Sequence, residues 1–251
     1  MNVIISEWIK VRSVRSTWVI AASAIVVTLV VGILGVSGLI ADGQATVPAD
    51  FDPTAAGFKG ILVGQLLIAT LGAQAITNEY ATGQIASTLT FVPRRRTLLL
   101  SKLAVVVGVA LPTAAVTAIA AFASSQAALA AAGLPVADLG DPDTVRAIVC
   151  AVLYLVLAAV LGLAFGTITR SSSGALTIIV TVALLVPALA PGVPGVIGDV
   201  VGTYWPTTAG QSSYALVGSG ALAPLGGLAV MAIATVWTAM AAALVFSTHD
   251  A

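Results

Sequence analysis

The stretch STWVIAASAIVVTLVVGILGVSGLI, Ser16–Ile40, holds no charged residue. A helix needs about 20 mostly apolar residues to cross the hydrocarbon of a bilayer. The apolar core of a secretory leader is shorter, about 7–15 residues. The run is therefore read as a membrane span, and everything around it fits that reading. The mean hydropathy is +1.10, and charged residues make up 8% of the 251-residue chain.

Five more runs of this kind follow. They are FKGILVGQLLIATLGAQAI (Phe58–Ile76), LLLSKLAVVVGVALPTAAVTAIAAF (Leu98–Phe122, with an Ala-rich tail to Ala132), Val145–Thr169, GALTIIVTVALLVPALA (Gly174–Ala190, short) and Leu222–Phe246. Barrel strands would alternate apolar and polar residues over about ten positions. These runs are continuously apolar, and a helix satisfies its own backbone without water. The expected fold is an all-α integral membrane protein, one transmembrane domain over 1–251 with six spans. Pro112 is expected to kink the third.

The basic residues set the orientation. Lys10, Arg12, Arg15, Arg94, Arg95, Arg96, Lys102 and Arg170 fall on one side of a six-span chain, and only Lys59 and Arg146 fall on the other. The positive-inside rule makes the first side cytoplasmic, with both termini there. Asp42, Asp50, Asp52, Asp138, Asp141, Asp143 and Asp199 lie opposite.

Two polar segments interrupt the apolar pattern. In VIISEWIKVRSVRSTW, Val3–Trp18, the residues Ile4, Ile5, Trp8, Ile9 and Val11 share one broad helical face, with Ser6, Lys10 and Ser13 opposite. This predicts a helix lying in the membrane interface, anchored by Trp8, Lys10, Arg12 and Arg15. In ITNEYATGQIASTLTFVPRRR, Ile76–Arg96, the residues Ala81, Ile85, Leu89 and Val92 recur at helical spacing. Gly83 weakens such a helix near its start and Pro93 stops it. An extended course competes, because STLTFV is rich in β-branched residues. The arginines anchor the start of the third span. The roughly fifteen residues before them exceed what an anchor needs.

These two segments resemble the permease subunits of ATP-binding-cassette exporters, and more narrowly the six-helix type common in actinobacteria. The resemblance implies an opening helix at the membrane surface and a cytoplasmic coupling helix after the second span. The coupling helix would dock on a separate ATPase through Glu79, Tyr80, Gly83, Pro93, Arg94 and Arg95, with Glu79 either a charged handle or simply a solvated loop acid. It also implies a second permease copy or paralogue, a bacterial plasma-membrane location, and short re-entrant or extracellular helices between spans five and six. That last segment contains TYWPTTAGQSSYALVGSGAL, Thr203–Leu222, where Tyr204 and Trp205 suit an interface belt.

No phosphate-binding loop occurs around Lys10, Lys59 or Lys102, the chain's lysines. ATP and Mg are therefore expected in the partner, with no cofactor and no catalytic or metal-binding residue in this chain. Cys150 lies within AIVCAVLYLVL and reads as a small buried hydrophobe, and His249 lies two residues from the end. The basic cluster is a membrane-side pattern and implies no nucleic-acid partner. Gly60/Gly64 and Gly162/Gly166 permit close helix packing, within the chain or in a dimer. Gln65 and Gln74 are costly inside a span; they are either candidates for a substrate path or satisfied by neighbouring helices. The competing reading is a non-ATPase membrane protein, namely a secondary transporter, channel or scaffold. Ion-coupled carriers favour intramembrane charges, which these spans largely lack apart from Lys102.

Overall fold

A computed structural model describes residues 3–42, 47, 51–91, 94–216 and 222–248. Asp50, Val92, Pro93 and His249, singled out above, lie outside these residues. The described elements are helical: α1 (Val3–Ser13), α2 (Arg15–Asp42), α3 (Pro53–Gly57), α4 (Ile61–Ala81), α5 (Gln84–Phe91), α6 (Arg95–Ala131), α7 (Pro142–Thr169), α8 (Ser172–Val180), a π-helical turn (Thr181–Leu185), α9 (Val186–Leu189), a 3-10 turn (Ala190–Gly192), α10 (Val196–Tyr204), α11 (Pro206–Ser212) and α12 (Pro224–Thr248). Six helical stretches are long and apolar enough to span a membrane, the fifth being Ser172–Gly192.

Local chemistry explains where these helices begin. α7 starts three residues before its apolar run because Asp141 accepts from the Asp143 amide (3.0 Å) and Pro142 occupies the first turn. α3 starts just after Asp52, its N-cap, whose carboxylate accepts from the Thr54 and Ala55 amides. α6 runs without a break through Pro112. Its 37 residues make a rod of about 55 Å at 1.5 Å per residue. That exceeds the roughly 30 Å of hydrocarbon, so α6 carries its ends beyond the apolar layer.

α4 and α7 form the centre of the bundle. Within their most apolar stretches 56% and 61% of residues are buried, against 22% and 17% for the fifth span and α12. Small residues allow this contact. A Cβ on Gly72 would strike the carbonyl of Ala159, and one on Gly162 would strike that of Ala69. Gly166 backs onto Ala73 in the same way, and Gly60 and Gly64 lie against Thr28 of α2. Both glycine pairs noted in the sequence are thus used inside one subunit, so they give no support to a dimer surface. Phe58, Phe122, Tyr214 and Tyr154 extend the core, with successive ring centroids between Phe122 and Phe58, Phe58 and Tyr214, and Tyr214 and Tyr154 at 5.4, 5.3 and 5.8 Å.

The fifth span contains a local fault with a clear cause. Pro187 has no N–H. The Val186 amide reaches back five residues to Thr181, as in a π-turn. The carbonyl of Val182 is met instead by Trp205 Nε1 at 2.7 Å and Thr207 Oγ1 at 3.3 Å. The carbonyl of Ala183, whose α-helical partner would be the Pro187 nitrogen, accepts from Gln65 Nε2 at 3.4 Å. The hairpin α10–α11 is therefore tied to the fifth span, and Trp205 serves that tie and not simply an interface belt.

Candidate functional site at the basic end

The basic residues α1 contributes, the root of α5, the start of α6 and the last turn of α12 meet at one end of the bundle. Arg95 Nη1 donates to the Phe246 carbonyl at 2.9 Å. A cation there suits a helix C-terminus, where unpaired carbonyls and the negative dipole end coincide.

Four ionic side chains lie at the centre of this end. Glu7 and Lys10 stand three residues apart on α1, so they share a face. Lys10 Nζ lies 2.7 Å from Glu7 Oε1 and 2.9 Å from Glu79 Oε1. Lys102 Nζ lies 2.7 Å from Glu7 Oε2 and 2.8 Å from Glu79 Oε1. Lys102 also donates to the Ala75 carbonyl at 3.1 Å, and Lys10 to Thr88 Oγ1 of α5 at 3.4 Å. The side chains of Lys102, Glu7 and Glu79 are 1%, 3% and 7% exposed, while that of Lys10 is 36% exposed. Two carboxylates and two ammonium groups cancel, so the cluster carries no net charge into its low-dielectric surroundings. Burial pushes the Glu7 carboxyl up. The charge of Lys102 and hydrogen bonds from Lys10 and Lys102 outweigh this and hold it below its ordinary value. Burial likewise pushes the Lys10 ammonium down, but Glu7 and Glu79 raise it above its ordinary value.

This geometry shows that Glu79 is not a solvated loop acid. Its carboxylate is buried and turned toward α1 and α6. One oxygen, Oε2, has no hydrogen-bond partner among the described residues, and neither has the Tyr80 hydroxyl. The Tyr80 ring instead lies 5.6 Å from the Arg170 guanidinium. Arg170 ends α7 in a left-handed conformation, with φ 54°. Gly83 is not within a helix either. It turns the chain from α4 into α5 at φ +69°, a conformation that glycine adopts without steric cost. α5 then projects with Ile85 buried and Phe91 86% exposed. Arg94 is exposed just before α6. Pro93 lies outside the described residues.

α1 is amphipathic as expected, but its polar face is turned inward. Ile4, Ile5, Trp8 and Ile9 are exposed while Glu7 is buried. Such a helix is suited to lipid outside and ions inside. Arg12 and Arg15 are exposed, and the Arg12 carbonyl accepts from Trp18 Nε1 at 3.1 Å.

The two glutamines separate. Gln65 is buried, accepts from the Tyr154 hydroxyl, and donates to the Leu62 carbonyl at 3.0 Å as well as to Ala183. Gln211 donates to the same hydroxyl at 3.3 Å. The amide of Gln65 is satisfied by neighbouring elements. Gln74 lines a cleft of about 460 Å³ beneath α1, and its Oε1 accepts from Ser16 Oγ at 3.4 Å.

Sequence reasoning passed over Glu7 and gave Lys102 a topological role only. A signal was present. Glu7 and Glu79 are the chain's only glutamates, both on the basic side, and Lys102 lies inside an apolar helix that demands an acidic partner.

A family model described as an ABC-2 family transporter protein matches residues 3–188. No curated protein matches the chain.

Proposed function

Because the chain belongs to the ABC-2 transporter family, as a multi-pass permease component, we propose that it is the membrane half of an ATP-driven exporter. In this reading residues 1–251 form one permease domain. It works beside a second permease copy or paralogue, in a bacterial plasma membrane, with both termini in the cytoplasm. A separate ABC ATPase binds and hydrolyses MgATP, and this chain converts that cycle into movement of its spans.

The observation that carries the reading is the form of α5. The helix has a mostly exposed surface ending in Phe91; its Thr88 accepts from Lys10 of α1, and Glu79, near the end of α4 just before it, pairs with Lys10 and Lys102. A push on α5 therefore reaches α1 through the Thr88–Lys10 contact, and α4 and α6 through the short, charge-assisted contacts behind it. Phe91 together with Arg94 supplies the docking surface, while Glu79 acts behind it as a transmission residue. The ionic cluster is neutral and sits at one end of the bundle, which suits a mechanical role better than an ion-coupled one.

The test is co-expression with the ABC ATPase. Phe91→Asp and Gly83→Pro should leave the chain in the membrane and reduce ATPase co-purification by about tenfold, the scale of one lost interface anchor. Wild-type retention of the ATPase by both variants would remove the docking role. Orientation is checked separately in a Cys150→Ser background. Arg96→Cys should resist an impermeant thiol reagent in intact cells and Leu139→Cys should react; the reverse pattern would invert the topology.

A further inference from the structure

We propose that the turn between the fourth and fifth spans is a second transmission arm, in which Arg170 is a positioning residue that carries movement of α5 into the fifth span. As a carrier of ATP-driven movement the arm rests on the preceding reading; as a mechanical link between α5 and the fifth span it does not.

Glu79 and Tyr80 are consecutive residues near the end of α4, so they face different neighbours. Glu79 pairs with Lys10 of α1 and Lys102 of α6. Tyr80 meets the turn that follows α7, where the Arg170 guanidinium lies 5.6 Å from its ring centroid. An aromatic face attracts a cation out to about 6 Å. Thr77 stands three residues before Tyr80 and shares its face of α4. Its Oγ1 accepts from Oγ of Ser172, the first residue of α8, at 2.8 Å. The end of α4 thus holds the start of the fifth span at two points, close to where α4 passes into α5 through Gly83.

The backbone at Arg170 points the same way. Among the described residues it is the one non-glycine residue with positive φ, at 54°. Helices that stop in this conformation usually do so at glycine, which adopts it without steric cost. The stop itself is made by the backbone, since the Arg170 amide donates to the Gly166 carbonyl at 3.0 Å. Glycine would serve the turn; what it lacks is the side chain that lies over Tyr80. The neighbouring helices differ in how firmly they are held. α4 and α7 are locked together at Gly72, Gly162 and Gly166, whereas only 22% of the most apolar stretch of the fifth span is buried. A displacement entering this corner meets a fixed helix pair on one side and a loosely packed helix on the other, and the loosely packed helix yields.

The test uses the full chain in lipid nanodiscs, in a Cys150→Ser background, with a nitroxide attached at Leu176→Cys of α8 or Leu100→Cys of α6, both exposed positions. Gly83→Pro supplies the push, because proline cannot take the φ of +69° found there and α5 must leave α4 on a new course. The spectrum at position 176 should change in response, and Tyr80→Phe, which keeps the ring, should leave that change intact. Arg170→Gly keeps the turn and Tyr80→Leu removes the ring. Each should reduce the response at 176 about fivefold, the scale of one cation–π contact, while the response at 100 through the ionic cluster persists. A response at 176 that survives in both variants, or that never follows Gly83→Pro, would overturn the arm. Equal loss at 176 and 100 in Arg170→Gly would mean a general loosening and would overturn it too. With the ABC ATPase co-reconstituted, MgATP should shift the label at 176 in the otherwise unaltered chain and not in Arg170→Gly, with the ATPase bound to both. An equal ATP response in the two would refute the arm and leave the exporter standing. Failure of the ATPase to bind, beside a Gly83→Pro response that depends on Arg170, would refute the exporter and leave the link standing.

Discussion

At the basic end of the bundle the buried polar groups include a cluster of ions, whereas a second polar cluster, among the second, fourth and fifth spans and the α10–α11 segment, is neutral. Glu7, Lys10, Glu79 and Lys102 make the first set. Gln65, Tyr154, Gln211, Trp205 and Thr207 make the second, together with the carbonyls released by Pro187. Removing an ion from water costs several kcal/mol after relaxation, and its partner returns that only with good geometry. A neutral hydrogen bond involves about 1 kcal/mol net. The ionic set keeps one member, Lys10, partly exposed, whereas Gln65 and Tyr154 are fully enclosed. The difference teaches that the charged cluster keeps a partly exposed member, while the fully enclosed pair at the heart of the other cluster is a neutral amide and a hydroxyl. It also makes the two regions unequal in what their disruption would cost.

The largest expected effect comes from breaking the ionic set. Glu79→Ala leaves Lys102 with half its carboxylate partners and should destabilise the protein by about 3–5 kcal/mol, the usual cost of opening a buried pair. The double variant Glu79→Leu/Lys102→Met keeps Glu7 with Lys10 and restores charge balance. It should unfold at a higher temperature in detergent than Glu79→Ala alone. Equal melting of the single and double variants would show that the ions are not coupled.

A smaller effect is expected from the neutral set. Tyr154→Phe removes the donor to Gln65 and leaves that amide oxygen buried, at about 1–3 kcal/mol. A loss as large as that of Glu79→Ala, read in the same melting experiment, would erase the distinction between the two regions.

Acid provides the mildest perturbation. The Glu7 carboxyl is held below its ordinary value of 4.5. A depressed carboxyl contributes stability that is present above the unfolded value and is lost as pH falls through the folded one. Melting temperature should therefore stay flat down to the glutamate range and fall only below it, and Glu7→Gln should flatten that fall. Lys10 runs the opposite way: raised above 10.5, its contribution is complete below that value and is lost as pH rises through the folded one. A decline already present on acidification to about pH 6 would contradict the Glu7 assignment, and a decline on raising the pH that is complete below 10.5 would contradict that of Lys10.

The spans and their grouping of basic residues were legible because hydropathy is additive along the chain and needs no partner. Boundaries such as Asp141–Pro142 were legible in principle, since a cap is local. The ionic set was harder to see. It joins positions 95 residues apart in Glu7 and Lys102 and 69 apart in Lys10 and Glu79, and side-chain pairing between distant helices leaves no periodicity. Glu79 illustrates the consequence. Its place beside Tyr80 and Gly83 made it read as a handle or a loop acid of the coupling segment, while its burial is decided by α1 and α6. Pro187 is the converse case: the lost N–H was readable, but which side chains would answer the freed carbonyls was not.

Those freed carbonyls also impose an order on assembly. A chain is made from its N-terminus, and Val182 precedes Trp205 and Thr207 by 23 and 25 residues. The fifth span therefore leaves the ribosome with a backbone acceptor whose partners do not yet exist. Gln65 is already present to meet Ala183, but the Val182 carbonyl must wait for the α10–α11 hairpin. That hairpin is a late fastener: until it folds back, the fifth span is inserted yet unfinished.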